Sequence, residues 1–151
     1  MSDSLKSSID NLAINLEQID QVYSNYATQI GHSYTELQII NLIFEIEDCT
    51  QKKICDASFL PKQTVNNVLK KLIDKNLVLL DNRTHKNKII LFTKSGRKYA
   101  EEILAPLRDS ELIAMSLLSN EERNLLTCLL TKYTESFKKN IDLKMEEDND
   151  Y

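Results

Sequence analysis

The stretch "PKQTVNNVLKKLIDKN", residues 61–76, decides how the chain is read. Val65, Val68, Leu69, Leu72 and Ile73 recur at steps of three and four, the spacing of one buried helix face. The opposite face presents Lys62, Gln63, Asn66, Asn67, Lys70 and Lys71, with hardly an acid among them. Pro61 suits the first helical position, where its missing N–H would have lacked a partner anyway. Asn76 suits the left-handed position just past the end. A helix whose front end offers amides and lysines together is either a solvated face or a surface shaped for a polyanion.

The neighbouring segments favour the second reading. Upstream, Thr50 can cap a short helix, "QKKICDAS", that buries Ile54. Before it, Thr35 and Gln38 form an expected capping box. They open a helix through Leu37, Ile40, Leu42, Ile43, Phe44 and Ile46. Residues 5–30 carry Leu5, Ile9, Leu12, Leu16, Ile19, Tyr23, Tyr26 and Ile30 in alternating steps of four and three, a heptad-like repeat. Gly31 is the expected C-cap. Downstream, Leu77–Leu80 and Lys88–Phe92 are β-prone runs on either side of a polar tip, Asp81–Asn87, which together read as a hairpin. Thr93 opens a further helix, which Pro106 is expected to kink or divide. Ser119 and Glu122 form a second capping box ahead of a last helix carrying Leu125, Leu126, Leu129, Leu130, Tyr133 and Phe137. The acidic end "EEDND" is expected to fray.

Composition narrows the function. The 151 residues include only two Gly and two Pro and are 42% hydrophobic, which favours long helices around a real core. No run of 18 apolar residues appears, so no transmembrane helix is predicted. The N-terminus is polar and lacks an apolar signal core, so a cytoplasmic location is expected. Three cysteines without a CxxC exclude a disulfide framework, and His32 and His85 lack metal-ligand partners. No metal and no cofactor is expected. No GxSxG or glycine-rich phosphate loop is present, which leaves an enzyme reading without support. Net charge is −4, but the average hides a segregation. Residues 50–99 hold twelve Lys/Arg against three Asp, or +9; the rest holds seven against twenty, or −13. Such a footprint draws a polyanion to one third of the chain.

Short helix, turn, second helix with a polar leading face, then a hairpin: this order is a winged helix-turn-helix. The predicted fold is mainly α with a small β-hairpin wing, flanked by N- and C-terminal dimerisation helices. Its winged part spans residues 35–98, the helical dimerisation region residues 1–34 and 99–145, and an acidic tail residues 146–151. The major groove of double-stranded DNA admits one helix, and Asn or Gln can pair with adenine there. Gln63, Asn66 and Asn67 are therefore candidate base readers. Lys62, Lys70, and Lys52 or Lys53 are candidate phosphate contacts, and Thr64 suits either task or simple turn packing. At the wing, Arg83, His85, Lys86 and Lys88 are candidates for the minor groove.

From about residue 5 to 140, and most strongly from Thr50 to Ile103, the chain resembles the MarR family of bacterial transcription regulators. The resemblance rests on a Thr-Gln-Lys start, the Pro-Lys-x-Thr-Val opening of residues 61–65, a Leu-x-x-Leu core at Leu69 and Leu72, a charged wing, and Phe92-Thr93-x-x-Gly96. Three positions depart from the family pattern: Phe59 stands where a small residue is usual, Asn76 where Gly is usual, and the wing's acid-then-Arg tip is not matched. The resemblance implies a homodimer formed by the first and last helices, with Leu5, Ile9, Leu12, Leu16, Leu126, Leu130, Tyr133 and Phe137 as its candidate contacts. It implies a pseudopalindromic operator, repression, and relief by a small aromatic or lipophilic effector. Tyr23, Tyr26, Tyr34 and Phe44 are the aromatic candidates for an effector pocket, with core packing as their alternative. Some relatives sense oxidants through cysteine. Cys49 lies in an expected turn near Lys52 and Lys53 and is the candidate here, while Cys55 and Cys128 read as core residues. A winged-helix dimer that binds a protein instead of DNA is the other alternative.

Overall fold

A computed structural model describes residues 3–81 and 88–149. Six helices and one hairpin follow in order: α1 Asp3–Gln29, α2 Tyr34–Glu45, α3 Gln51–Ser58, α4 Lys62–Asp74, β1 Val78–Asp81, β2 Ile89–Phe92, α5 Lys94–Ser116 and α6 Asn120–Asn149. The strands are antiparallel, with Val78 opposite Phe92 and Asp81 opposite Ile89. The mainly helical fold with one hairpin read from the sequence is the one observed.

Local chemistry sets the element ends. Past α1, Gly31 is left-handed at φ 78°, and the N–H groups of Gly31 and His32 bond back to Thr28 and Ala27. That pattern satisfies carbonyls the helix would otherwise leave open. Asn76, at φ 54°, closes α4 in the same way, with Asn76 N–H to Ile73 and Leu77 N–H to Leu72. Thr50 caps α3 by accepting from Lys53 N–H. Ser119 and Glu122 exchange the two bonds of a capping box at α6.

Four features differ from expectation. Ser33, not Thr35, caps α2, because Glu36 completes its box by accepting from the Ser33 N–H. Glu36 is also wanted there by two further partners described below. Pro61, expected as the first helical residue, is the N-cap of α4, which begins one position later at Lys62. Helix α5 runs unbroken through Pro106, although the boundary between two compact units, residues 1–105 and 106–151, falls at that proline. Helix α6 continues to Asn149, into the segment expected to fray.

The core of the first unit gathers Leu37, Ile39 and Ile40 from α2, Ile54 from α3, Val65 and Leu72 from α4, Val78 and Ile90 from the hairpin, and Leu104 from α5. Each is at most 2% exposed. The hairpin is pinned to the loop before α3, where Ile90 N–H donates to Cys49 O at 2.8 Å. It is also pinned to the start of α5. Thr93 Oγ1 accepts from Gly96 N–H at 2.9 Å and donates to Asn76 O at 2.8 Å. A Cβ at Gly96 would stand 1.8 Å from Leu77 O, so only glycine fits this approach. The Thr-x-x-Gly motif is thus the clamp that holds the wing against α5.

Candidate nucleic-acid interface

Helix α4 buries Val65, Val68, Leu69 and Leu72 and leaves Lys62, Gln63, Asn66, Asn67 and Lys70 exposed. The inward set is a 3.6-residue stripe, so the outward set is fixed by the same geometry. The leading-face amides are not idle. Gln63 Nε2 donates to Asn67 Oδ1 at 3.0 Å, one helical turn away. Asn66 Oδ1 accepts from Gln51 Nε2 at 2.6 Å, and the same Gln51 amide lies 3.2 Å from Lys62 O. Thr64 is only half exposed.

Gln51 escaped the sequence reading. It is the first residue of α3, and nothing in its local spacing indicates that packing brings it to a residue fifteen positions on. The signal available was its place between Thr50 and two lysines.

A cleft of about 680 Å³ opens between α3, α4 and the hairpin. Gln51, Lys52, Lys62, Asn66, Lys70 and Lys88 line it together with apolar Leu69, Ile73, Leu80 and Ile90. No carboxylate lines it among the described residues. Among the described residues, Lys62, Lys70 and Lys88 form no ion pair, whereas Lys52 is paired with Asp56 across one turn of α3. Lys53 turns away from this face and donates to Glu47 O at 2.8 Å. The structure therefore brings Lys52, Lys62, Lys70 and Lys88 to one cleft and leaves Lys53 outside it. Arg83, His85 and Lys86 lie outside the described residues.

Behind α4 sits a polar network that the sequence did not disclose. Lys71 Nζ donates to Glu36 Oε1 at 2.9 Å, so this lysine of the polar face belongs to the scaffold. His32, 7% exposed, places Nδ1 3.1 Å from Glu36 Oε2 and Nε2 2.6 Å from the Tyr99 hydroxyl. The loop after α1, α2, α4 and α5 are joined through these four side chains. Burial pushes the Glu36 carboxyl up, but hydrogen bonds from Lys71, Ser33 and His32 outweigh it and hold the pKa at about 2. Burial and the Glu36 carboxylate push the Tyr99 phenol up.

Each aromatic candidate has a packing or hydrogen-bonding partner. Tyr23 and Tyr34 stack at 5.7 Å, Tyr26 donates to Ile103 O at 2.6 Å, and Phe44 lies between Phe92 and the Arg97 guanidinium. None lines the cleft. The three cysteines differ from expectation in their exposure. Cys49 is 2% exposed, because its carbonyl receives the hairpin and its side chain is drawn into the core. Burial raises its thiol to about 11 against a pull from Lys53. Cys128 is exposed on α6 rather than in a core, and Cys55 is half-buried on the cleft.

The heptad candidates are open in the isolated chain. Leu5, Ile9 and Leu16 on α1 and Leu126, Tyr133 and Phe137 on α6 are 40–59% exposed. Leu12 and Leu130 are half-buried. No described helix is long and apolar enough to cross a membrane.

Helix, turn, helix and an antiparallel hairpin clamped behind them define a winged-helix protein. Comparison with known proteins shows what it is similar to. Residues 30–86 match the profile of the MarR family. The chain is 26% identical over 131 residues to the HTH-type transcriptional regulator SarZ of Staphylococcus epidermidis, covering 85% of this chain and 88% of that protein. Two solved structures share its fold. One is NMB1585, a MarR family regulator from Neisseria meningitidis, with TM-score 0.77 and 21% identity over 89% of this chain and 96% of that one. The other is Staphylococcus aureus MepR in complex with DNA, with TM-score 0.71 and 24% identity over 90% and 99%. These likenesses are to the MarR family in sequence over residues 30–86 and to MarR-family structures in fold.

Proposed function

We propose that this chain is a MarR-family regulator that binds double-stranded DNA sequence-specifically as a homodimer, on a pseudopalindromic operator, and represses transcription there. One observation carries the reading: α4 turns three amides and two lysines outward beside a cleft walled by Lys52, Lys62, Lys70 and Lys88, with no carboxylate among its described lining residues. Amides that pair with base edges and ammonium groups that replace phosphate counterions are the two halves of sequence-specific binding. The apolar stripes of α1 and α6 supply the surface for a second copy. A two-fold dimer places two reading helices about one duplex turn apart, which is why a pseudopalindrome is anticipated. A small aromatic or lipophilic effector would act by favouring one separation of the two heads. The Tyr23–Tyr34 stack is the aromatic surface nearest that description.

The test is enrichment of random duplexes by the purified chain, with affinity then measured against salt and solution mass measured in parallel. Sub-micromolar, salt-sensitive binding to an enriched pseudopalindrome by a particle of twice the 17.5 kDa chain mass supports the reading. Equal binding to all duplexes, or a monomer at working concentration, sinks it. Failure to bind any polyanion at low salt would instead favour the protein-interaction module.

A further inference from the structure

The turn between α3 and α4 holds the most exposed of the large apolar side chains described. Phe59 has 87% of its surface open. Its backbone is left-handed, with φ 57° and ψ 17°. A side chain with a Cβ is crowded there, so Gly or Asn is the ordinary occupant. The two other helix ends closed by a left-handed residue follow that rule, with Gly31 and Asn76. Phe59 breaks it with a bulky ring and then leaves the ring in water, where its burial free energy is forfeited. Neither cost is offset by packing within the chain. The repeating open residues of α1 and α6 await a partner helix, but Phe59 belongs to neither stripe.

The turn is held firmly. Phe59 N–H donates to Cys55 O at 2.9 Å, Leu60 N–H lies 3.3 Å from Ser58 Oγ, and Pro61 follows at φ −57°. The ring is thus presented four residues ahead of Gln63, at the mouth of the helix that enters the groove. A phenyl group finds one complementary feature on the base edges of the major groove, the 5-methyl of thymine. The amides beside it suit adenine, and an A·T pair offers the adenine edge and the thymine methyl side by side.

We propose that Phe59 is a specificity-determining residue whose ring seats against a thymine methyl, so that the turn and the leading face of α4 read A·T pairs together. The inference rests on the DNA-binding reading above and adds the base class that its half-site contains.

The experiment uses the duplex enriched by the full-length chain, and a set of duplexes in which each thymine in turn is replaced by deoxyuridine, which lacks the methyl. Wild type, Phe59→Gly and Phe59→Asn are compared by fluorescence anisotropy, with melting curves as the control for folding. Both variants are expected to melt at or above the wild-type temperature, since they relieve the left-handed crowding. Both should bind the thymine duplex about tenfold more weakly, as suits the loss of one good groove contact. One deoxyuridine position per half-site should weaken wild type about fourfold, the worth of one buried methyl, and leave both variants unchanged. A wild-type chain that binds no duplex overturns the DNA reading and this inference with it. A wild-type chain that binds as expected, with every deoxyuridine duplex affecting wild type and variants alike, overturns the role of Phe59 alone.

Discussion

The side-chain amide of Gln51 stands 2.6 Å from Oδ1 of Asn66, so α3 holds one of the leading-face amides of α4 in place. The bond joins two helices and engages the oxygen of Asn66. An amide held this way loses less freedom when it meets a base, and the direction in which it donates is set in advance.

The first prediction follows from that pair. Asn66→Ala should weaken binding to the preferred duplex by about 1–3 kcal/mol and relax one base position. Gln51→Ala should weaken it by less, while the double variant should be no worse than Asn66→Ala alone. A double-mutant cycle by anisotropy measures this, and additive losses would show that the two residues act separately.

Lys70 is exposed, faces the cleft and has no ion pair among the described residues. Lys70→Ala should lower affinity for all duplexes alike and reduce the slope of log affinity against log salt by about 1. Lys52→Ala should change the slope less, since Asp56 already holds that ammonium. Titrations at four or five salt concentrations decide it; a Lys70 variant that alters base preference would point to a reader instead.

Glu36 makes the stability of the first unit acid-sensitive. Its native pKa, about 2, lies below its ordinary value of 4.5. The unfolded chain therefore binds the proton first as pH falls. The stabilisation from this carboxylate is complete above about 4.5 and is lost on acidification toward about 2. Glu36→Gln should remove that part of the acid dependence and cost about 1–3 kcal/mol at neutral pH. Lys71→Met should cost only about 1 kcal/mol, because the ammonium is largely solvated. Urea midpoints from pH 2 to 7 provide the readout, and an unchanged acid limb in Glu36→Gln would remove Glu36 from the account.

Gly96 tests the clamp behind the wing. An added Cβ meets the Leu77 carbonyl at 1.8 Å, and backbone cannot step aside as a flexible side chain can. Gly96→Ala should therefore destabilise the chain by about 1–3 kcal/mol or more, despite the better helix propensity of alanine. A melting temperature equal to wild type would mean that the hairpin is not held this closely.

Much of this was legible in residue order. The repeat of α1, the cap at Thr50, the box at Ser119 and the left-handed stops at Gly31 and Asn76 depend on partners within five residues along the chain. Such signals survive in a one-dimensional reading. The cap of α2 was misplaced by two residues because "SYTE" and "TELQ" both spell a capping box. Only the pull of His32 and Lys71 on Glu36 selects the first.

The sequence by itself determined the element order, the outward set of amides and lysines on α4, and the concentration of positive charge in residues 50–99. These follow from periodicity and composition, which need no knowledge of distant neighbours. Tertiary structure alone decided that Lys71 serves the scaffold, that Gln51 braces Asn66, that Lys53 leaves the cleft and that Cys49 is sealed in the core. The physical reason is separation. Lys71 and Glu36 are 35 positions apart, His32 and Tyr99 are 67 apart, and only the packing of four elements brings such groups within hydrogen-bonding reach.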